Sequence, residues 1–102
     1  NAQTLSAMKS DAVLVNTGRG ALIDEAALVD AMNAGHLSAA GLDVFEYEPD
    51  VHPGLLELDN VTLAPHIGAA TTQCHDAIGI CAIENILAQF EGRELISCVN
   101  PQ

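Results

Sequence analysis

Three residue types capable of joint chemistry follow short apolar runs in this chain. Arg19 lies in Asn16-Thr17-Gly18-Arg19-Gly20, after residues 12–15. The acids Asp43, Glu46 and Glu48 follow residues 39–42, and His66 lies in Pro65-His66-Ile67-Gly68, after residues 61–64. A guanidinium fork binds a carboxylate through two parallel hydrogen bonds. An imidazole exchanges a proton near neutral pH, and a carboxylate beside it favours its charged form. Together they suit an acid–base site for a small anionic substrate. Each also has a plainer alternative: Arg19 as a loop cation paired with nearby acids, His66 as a satisfied structural histidine, Asp43 as a turn or cap, and Glu48 as solvated loop. His36, His52 and His75 read as surface residues. Gly18-Arg19-Gly20 is not a Walker A loop, and no GxGxxG occurs, so no phosphate cradle is read here. Spacing alone supports an anion-binding α/β domain with an acid–base histidine.

The elements that must carry these groups alternate. Residues 3–9 suit a short helix. Residues 12–15 are a continuous apolar run and read as a strand buried on both faces. Asp24 is a good N-cap for a helix that Gly35 ends. Residues 39–44 are the second strand candidate. Residues 46–60 are polar, with Pro49, Pro53 and Gly54, and read as a surface loop. Residues 61–64 form the third strand. A long helix follows from 71 to 91, with Ile80, Ile83, Leu87 and Phe90 at helical spacing and Gly92 as its stop. Short apolar strands alternating with helices argue for a parallel sheet, in which ligands sit at the carboxyl ends of strands. The fold class expected is α/β, the second half of a doubly wound, Rossmann-type parallel sheet.

Composition narrows the partners. The 102 residues carry 14 acids against Lys9, Arg19 and Arg93, for a net charge of −11. Three cations cannot neutralise a run of phosphates, so nucleic acid is excluded as a partner, and an anionic membrane surface is disfavoured for the same reason. No apolar run reaches the ~18–20 residues of a membrane span. Cys74 and Cys81 stand seven positions apart in the long helix, a rise of ~10 Å, too far for a disulfide. With Cys98 they read as reduced thiols, which points to the cytoplasm. No metal-ligand spacing is present, so no metal site is expected.

With these residues in view, the chain resembles the D-isomer-specific 2-hydroxyacid dehydrogenase family. Met8-Lys9-Ser10-Asp11-Ala12-Val13-Leu14-Val15-Asn16-Thr17-Gly18-Arg19-Gly20-Ala21-Leu22-Ile23-Asp24 is similar to its arginine signature. Gly41-Leu42-Asp43-Val44-Phe45-Glu46-Tyr47-Glu48-Pro49 is similar to its second block, and Pro65-His66-Ile67-Gly68-Ala69-Ala70-Thr71 to its histidine block. The resemblance covers nearly the whole chain, with the three motifs in the expected order and spacing. The resemblance implies an oxidoreductase that transfers a hydride between a nicotinamide cofactor, NAD or NADP, and a 2-keto or 2-hydroxy acid. It implies that Arg19 binds the substrate carboxylate, that His66 is the general acid and base, and that Glu48 hydrogen-bonds His66. It places Thr17, Gly18, Arg19, Asp43, His66, Ile67, Gly68 and Ala69 against the cofactor.

The same resemblance divides the chain into 1–70, the C-terminal half of a dinucleotide-binding domain, and 71–102, a helix and tail returning toward a substrate domain. The family's glycine-rich loop and substrate domain would precede Asn1, so these 102 residues alone are expected to lack activity. The parent is expected to be a cytoplasmic homodimer. The stretch Val51-His52-Pro53-Gly54-Leu55-Leu56 is more similar to glyoxylate/hydroxypyruvate reductases than to phosphoglycerate dehydrogenases. Two other functions fit the same motifs: a NAD-sensing, corepressor-like interaction scaffold, and a non-catalytic remnant of the fold.

Overall fold

A computed structural model describes residues 1–100. Its elements are α1 (Ala2–Ser6), β1 (Val13–Asn16), α2 (Glu25–Asn33), β2 (Ala39–Leu42), α3 (Pro53–Leu56), β3 (Val61–Leu63) and α4 (Thr72–Phe90), with a 3₁₀ turn at Gly20–Leu22. The chain divides into two compact units, Asn1–Gly68 and the remainder from Ala69.

In the first unit the three strands are parallel in the order β1-β2-β3. Val15 lies beside Gly41, and Gly41 beside Thr62. The alternate residues Leu14, Ala40, Leu42 and Leu63 face a core shared with Leu5 of α1, Leu28, Val29 and Met32 of α2, Phe45, and Leu55 of α3. The Asp24 carboxylate accepts from Ala27 N at 2.9 Å and so starts α2 where expected. Gly35, at φ +68, ends it: His36 N donates to Ala31 O and Gly35 N to Met32 O, satisfying carbonyls the helix leaves open.

Two expectations need correction. β1 is not buried on both faces. Val13 is 60% and Val15 66% exposed, because the second face of the sheet, with Ala39, Gly41 and Thr62 in register, carries no helix of this unit. Nor is 46–60 all surface loop. Pro53 opens the single turn α3, whose Leu55 is only 1% exposed within the core. One apolar side chain with a place in the core suffices to shape a turn inside a polar stretch.

In the second unit, α4 is capped by Thr71, whose hydroxyl accepts from Cys74 N, and Gly92, at φ +65, lies just past its last turn. Asn85 ties the tail back onto the helix. Its Oδ1 accepts from Ile96 N at 3.0 Å, and its Nδ2 donates to Ser97 Oγ at 3.1 Å. Ile78, Ile80, Ile83, Ile86 and Phe90 are exposed.

Candidate active site

The carboxyl ends of β1, β2 and β3 each lead into one of the chemically competent segments. Glu48 and His66, eighteen positions apart, meet there: His66 Nδ1 lies 2.8 Å from Glu48 Oε2. The other oxygen of Glu48 accepts from Phe45 N at 3.0 Å, so its own turn orients the carboxylate. The His66 hydrogen bond, and next the Phe45 N–H, hold Glu48 below its ordinary value of 4.5; the charges of His66 and Arg19 add to this, while partial burial opposes it. Glu48 is therefore ionised at neutral pH and can only accept. That assigns the Nδ1 proton to the Glu48 bond and leaves Nε2 to exchange protons. With Phe45, Pro49, Val51 and Pro65 the pair lines a pocket of about 310 Å³.

His66 itself has φ +54, in the left-handed region uncommon for a residue with a side chain. The bend turns the next two amides toward Asp43. Asp43 Oδ1 accepts from Ile67 N at 2.8 Å, and Oδ2 from Gly68 N at 2.7 Å. Asp43 is only 8% exposed, and these charge-assisted bonds satisfy it while holding the histidine segment against the end of β2. Each oxygen keeps a further lone pair, so the clamp does not exhaust Asp43 as an acceptor.

Arg19 is exposed on the loop after β1, and its guanidinium donates to Gly18 O at 2.7 Å. The loop is shaped by Asn16, which is buried: its Nδ2 donates to Arg19 O at 2.9 Å and its Oδ1 accepts from Gly18 N at 3.1 Å. Arg19 stands near enough for its charge to act on Glu48.

Thr17 and Asp43 line a second hollow, of about 210 Å³, with Val15, Gly41, Leu42, Thr62 and Ala64. A mostly apolar lining with two threonines and one aspartate at the sheet's rim fits a flat ring bearing an amide, as a nicotinamide does. Gly18 and Ile67 are exposed beside these groups, while Ala69 belongs to the second unit.

Sequence reasoning overlooked three contributors. Asn16 is the first, and an Asn after an apolar run signals a side chain bonding its own turn. Glu25 was passed over beside the more obvious cap Asp24. His52 is not a plain surface residue: its Nδ1 accepts from Gly54 N at 3.1 Å and caps α3. Among the described residues no group of His, Cys, Asp and Glu is gathered to hold a metal ion. Among the described residues no helix is long and apolar enough to cross a membrane. Cys74, Cys81 and Cys98 are free thiols.

A parallel α/β half-sheet with such a rim is the architecture of nucleotide-dependent enzymes. The family profile for the D-isomer specific 2-hydroxyacid dehydrogenase, NAD binding domain, matches residues 1–68, and the chain belongs to that family. It is 45% identical over 102 residues to the glyoxylate/hydroxypyruvate reductase B of Escherichia fergusonii, covering 99% of this chain and 32% of that protein. It is similar to the glyoxylate reductase structure from Paecilomyes thermophila, with TM-score 0.89 and 43% identity over 96% of this chain and 30% of that one. It is also similar to the NADPH-dependent glyoxylate/hydroxypyruvate reductase from Sinorhizobium meliloti in complex with NADP and malonate, with TM-score 0.85 and 43% identity over 95% and 30% of the two chains. The chain thus spans about a third of the length of these relatives.

Proposed function

We propose that this chain supplies the proton-transfer and carboxylate-binding half of a NAD(P)-dependent reductase acting on small 2-keto acids such as glyoxylate or hydroxypyruvate. The observation that carries the reading is the 2.8 Å contact of His66 with Glu48 at the rim of a parallel sheet. The names of its relatives support the substrate class. A nicotinamide, when bound at Thr17, Gly18, Arg19, Asp43, His66, Ile67 and Gly68, would supply the hydride chemistry. Arg19 holds the substrate carboxylate through its guanidinium and stabilises negative charge on the carbonyl oxygen. His66 Nε2 gives that oxygen a proton in reduction and takes it back in oxidation. Glu48 keeps the Nδ1 proton in place and stabilises the charged ring. A cytoplasmic homodimer is the assembly this reading carries. The free thiols and the exposed apolar side of α4 are consistent with it, and the sedimentation of the whole protein tests it.

The reading is tested by substitution in the whole protein, with glyoxylate and hydroxypyruvate as substrates and cofactor binding followed separately. His66→Ala is expected to lower kcat by about 10²–10⁴, the range of positioned proton transfer. Arg19→Ala is expected to raise KM and lower kcat together. Because the Glu48 carboxylate persists below 4.5, its protonation limits the wild-type protein only under more acidic conditions. Glu48→Gln should lower the plateau about tenfold and abolish that acidic limb. Unchanged turnover in the His66 variant refutes the mechanism. Cofactor binding by a wild-type protein that turns over no keto acid would favour the scaffold role instead.

A further inference from the structure

Glu25 is an unused acid with an unusual address. It is the first residue of α2 and is only 3% exposed. Its Oε1 accepts from Glu46 N at 2.7 Å, across 21 positions of sequence. Glu46 lies in the same turn as Phe45, whose N–H orients Glu48. On the same stretch a second support acts. A Cβ on Gly20 would fall 1.9 Å from the carbonyl carbon and oxygen of Phe45 and 2.5 Å from Glu46 N. The segment after Arg19 and the turn before Glu48 therefore touch backbone to backbone, and Glu25 bonds the amide at that point.

We propose that Glu25 is a positioning residue for the Glu48–His66 pair: its carboxylate, placed by the start of α2, pins the 45–48 turn through the Glu46 amide and so fixes the Glu48 carboxylate opposite His66. The physical basis is rigidity. A carboxylate at a helix N-terminus is favoured by the helix dipole. Its bond to an amide is of the strong, charge-assisted kind. Asp24 already caps the same turn of helix, so Glu25 sits on a fixed base. Released from Glu25, the Glu46 amide has no other partner among the described residues, and the turn can rotate. Glu48 would then lose the alignment that gives it two partners at once, Phe45 N and the His66 ring. The charged groups acting on Glu48 are His66 and Arg19.

This assignment rests on the proposed function only for its kinetic consequence; its geometric core is tested without substrate. Three variants of the whole protein separate the alternatives. Glu25→Gln keeps an acceptor oxygen at the same reach. Glu25→Met keeps the length and removes the acceptor. Glu25→Asp keeps the charge at the helix start but is one methylene, roughly 1.5 Å, too short, and serves if the Met variant does not fold. The first readout is the titration of the Glu48 carboxyl, followed by carbon NMR with labelled glutamate. It should stay at its wild-type position in Gln and climb toward the ordinary range in Met and Asp. The second is kinetics: kcat should fall about tenfold in Met and Asp, a fraction of what proton transfer supplies, with KM within about twofold and Gln near wild type. A Glu48 titration unmoved in both Met and Asp overturns the proposal. So does a Gln variant as impaired as Met, because Gln keeps the bond in neutral form and Met keeps none. Should the titration move while His66→Ala leaves turnover intact, the positioning stands and the reductase reading is what fails.

Discussion

Asp43 shows how a single carboxylate serves a site by positioning its neighbours. Its two oxygens take the amides of Ile67 and Gly68 and hold His66 in a left-handed backbone conformation. Such conformations cost of order 1–3 kcal/mol and persist when the surroundings impose them. Asp43→Asn leaves one acceptor oxygen for two amides. It is expected to destabilise the fold by about 1–3 kcal/mol, the cost of an unsatisfied donor beside a lost charged bond. The result is read as a lower midpoint in urea unfolding with an unchanged slope. A variant as stable as wild type would mean that the histidine segment holds its shape unaided. The Glu48–His66 pair differs in kind. Both members are well exposed to solvent, so its value is orientation and proton placement rather than stability.

At the scale of elements, the two glycines flanking Arg19 perform different tasks. A methyl group on Gly18 would stand 3.3 Å from the tip of Leu22, a flexible side chain that can give way, whereas one on Gly20 would collide with the Phe45 backbone. Gly18→Ala is therefore expected to change stability by less than about 1 kcal/mol, and Gly20→Ala to destabilise by about 1–3 kcal/mol or more, as overpacking does. Thermal unfolding of the two variants side by side makes the comparison. Equal melting temperatures would contradict the close approach of the Arg19 and Glu48 segments. In the whole protein, Gly20→Ala should also depress kcat by displacing the turn that carries Glu48.

At the scale of the molecule, apolar surface stands open in both units. Val13 and Val15 face outward from the sheet of the first, and Ile78, Ile80, Ile83, Ile86 and Phe90 from α4 of the second. Contiguous exposed apolar surface drives association. Opposing it is a net charge of −11, which keeps copies apart near neutral pH. The 102-residue chain, purified alone, is expected to enhance the fluorescence of an apolar dye, to self-associate in sedimentation, and to show no turnover. The association should grow as acidification protonates carboxylates and shrinks the charge, and as added salt screens it. A monodisperse monomer that leaves the dye dark would contradict the prediction.

Much of this protein is legible in its amino-acid order because the signals are local. An Asp before a helical run, a Gly after each of α2 and α4 and an apolar run before a polar turn act within a few residues, and α2, α4 and all three strands stand close to where they were expected. The types and order of Arg19, Glu48 and His66 are likewise plain. Tertiary structure decided the rest, because it depends on contacts between residues distant in sequence. Only folding brings Glu48 to His66, turns Asp43 toward two amides beyond β3, and sets Glu25 under Glu46. Only the register of the sheet shows that Val13 and Val15 lie on its uncovered face, and only the space beneath α2 gives Leu55 the place that shapes α3. Chain order specifies which groups are present; burial and reach determine which of them meet.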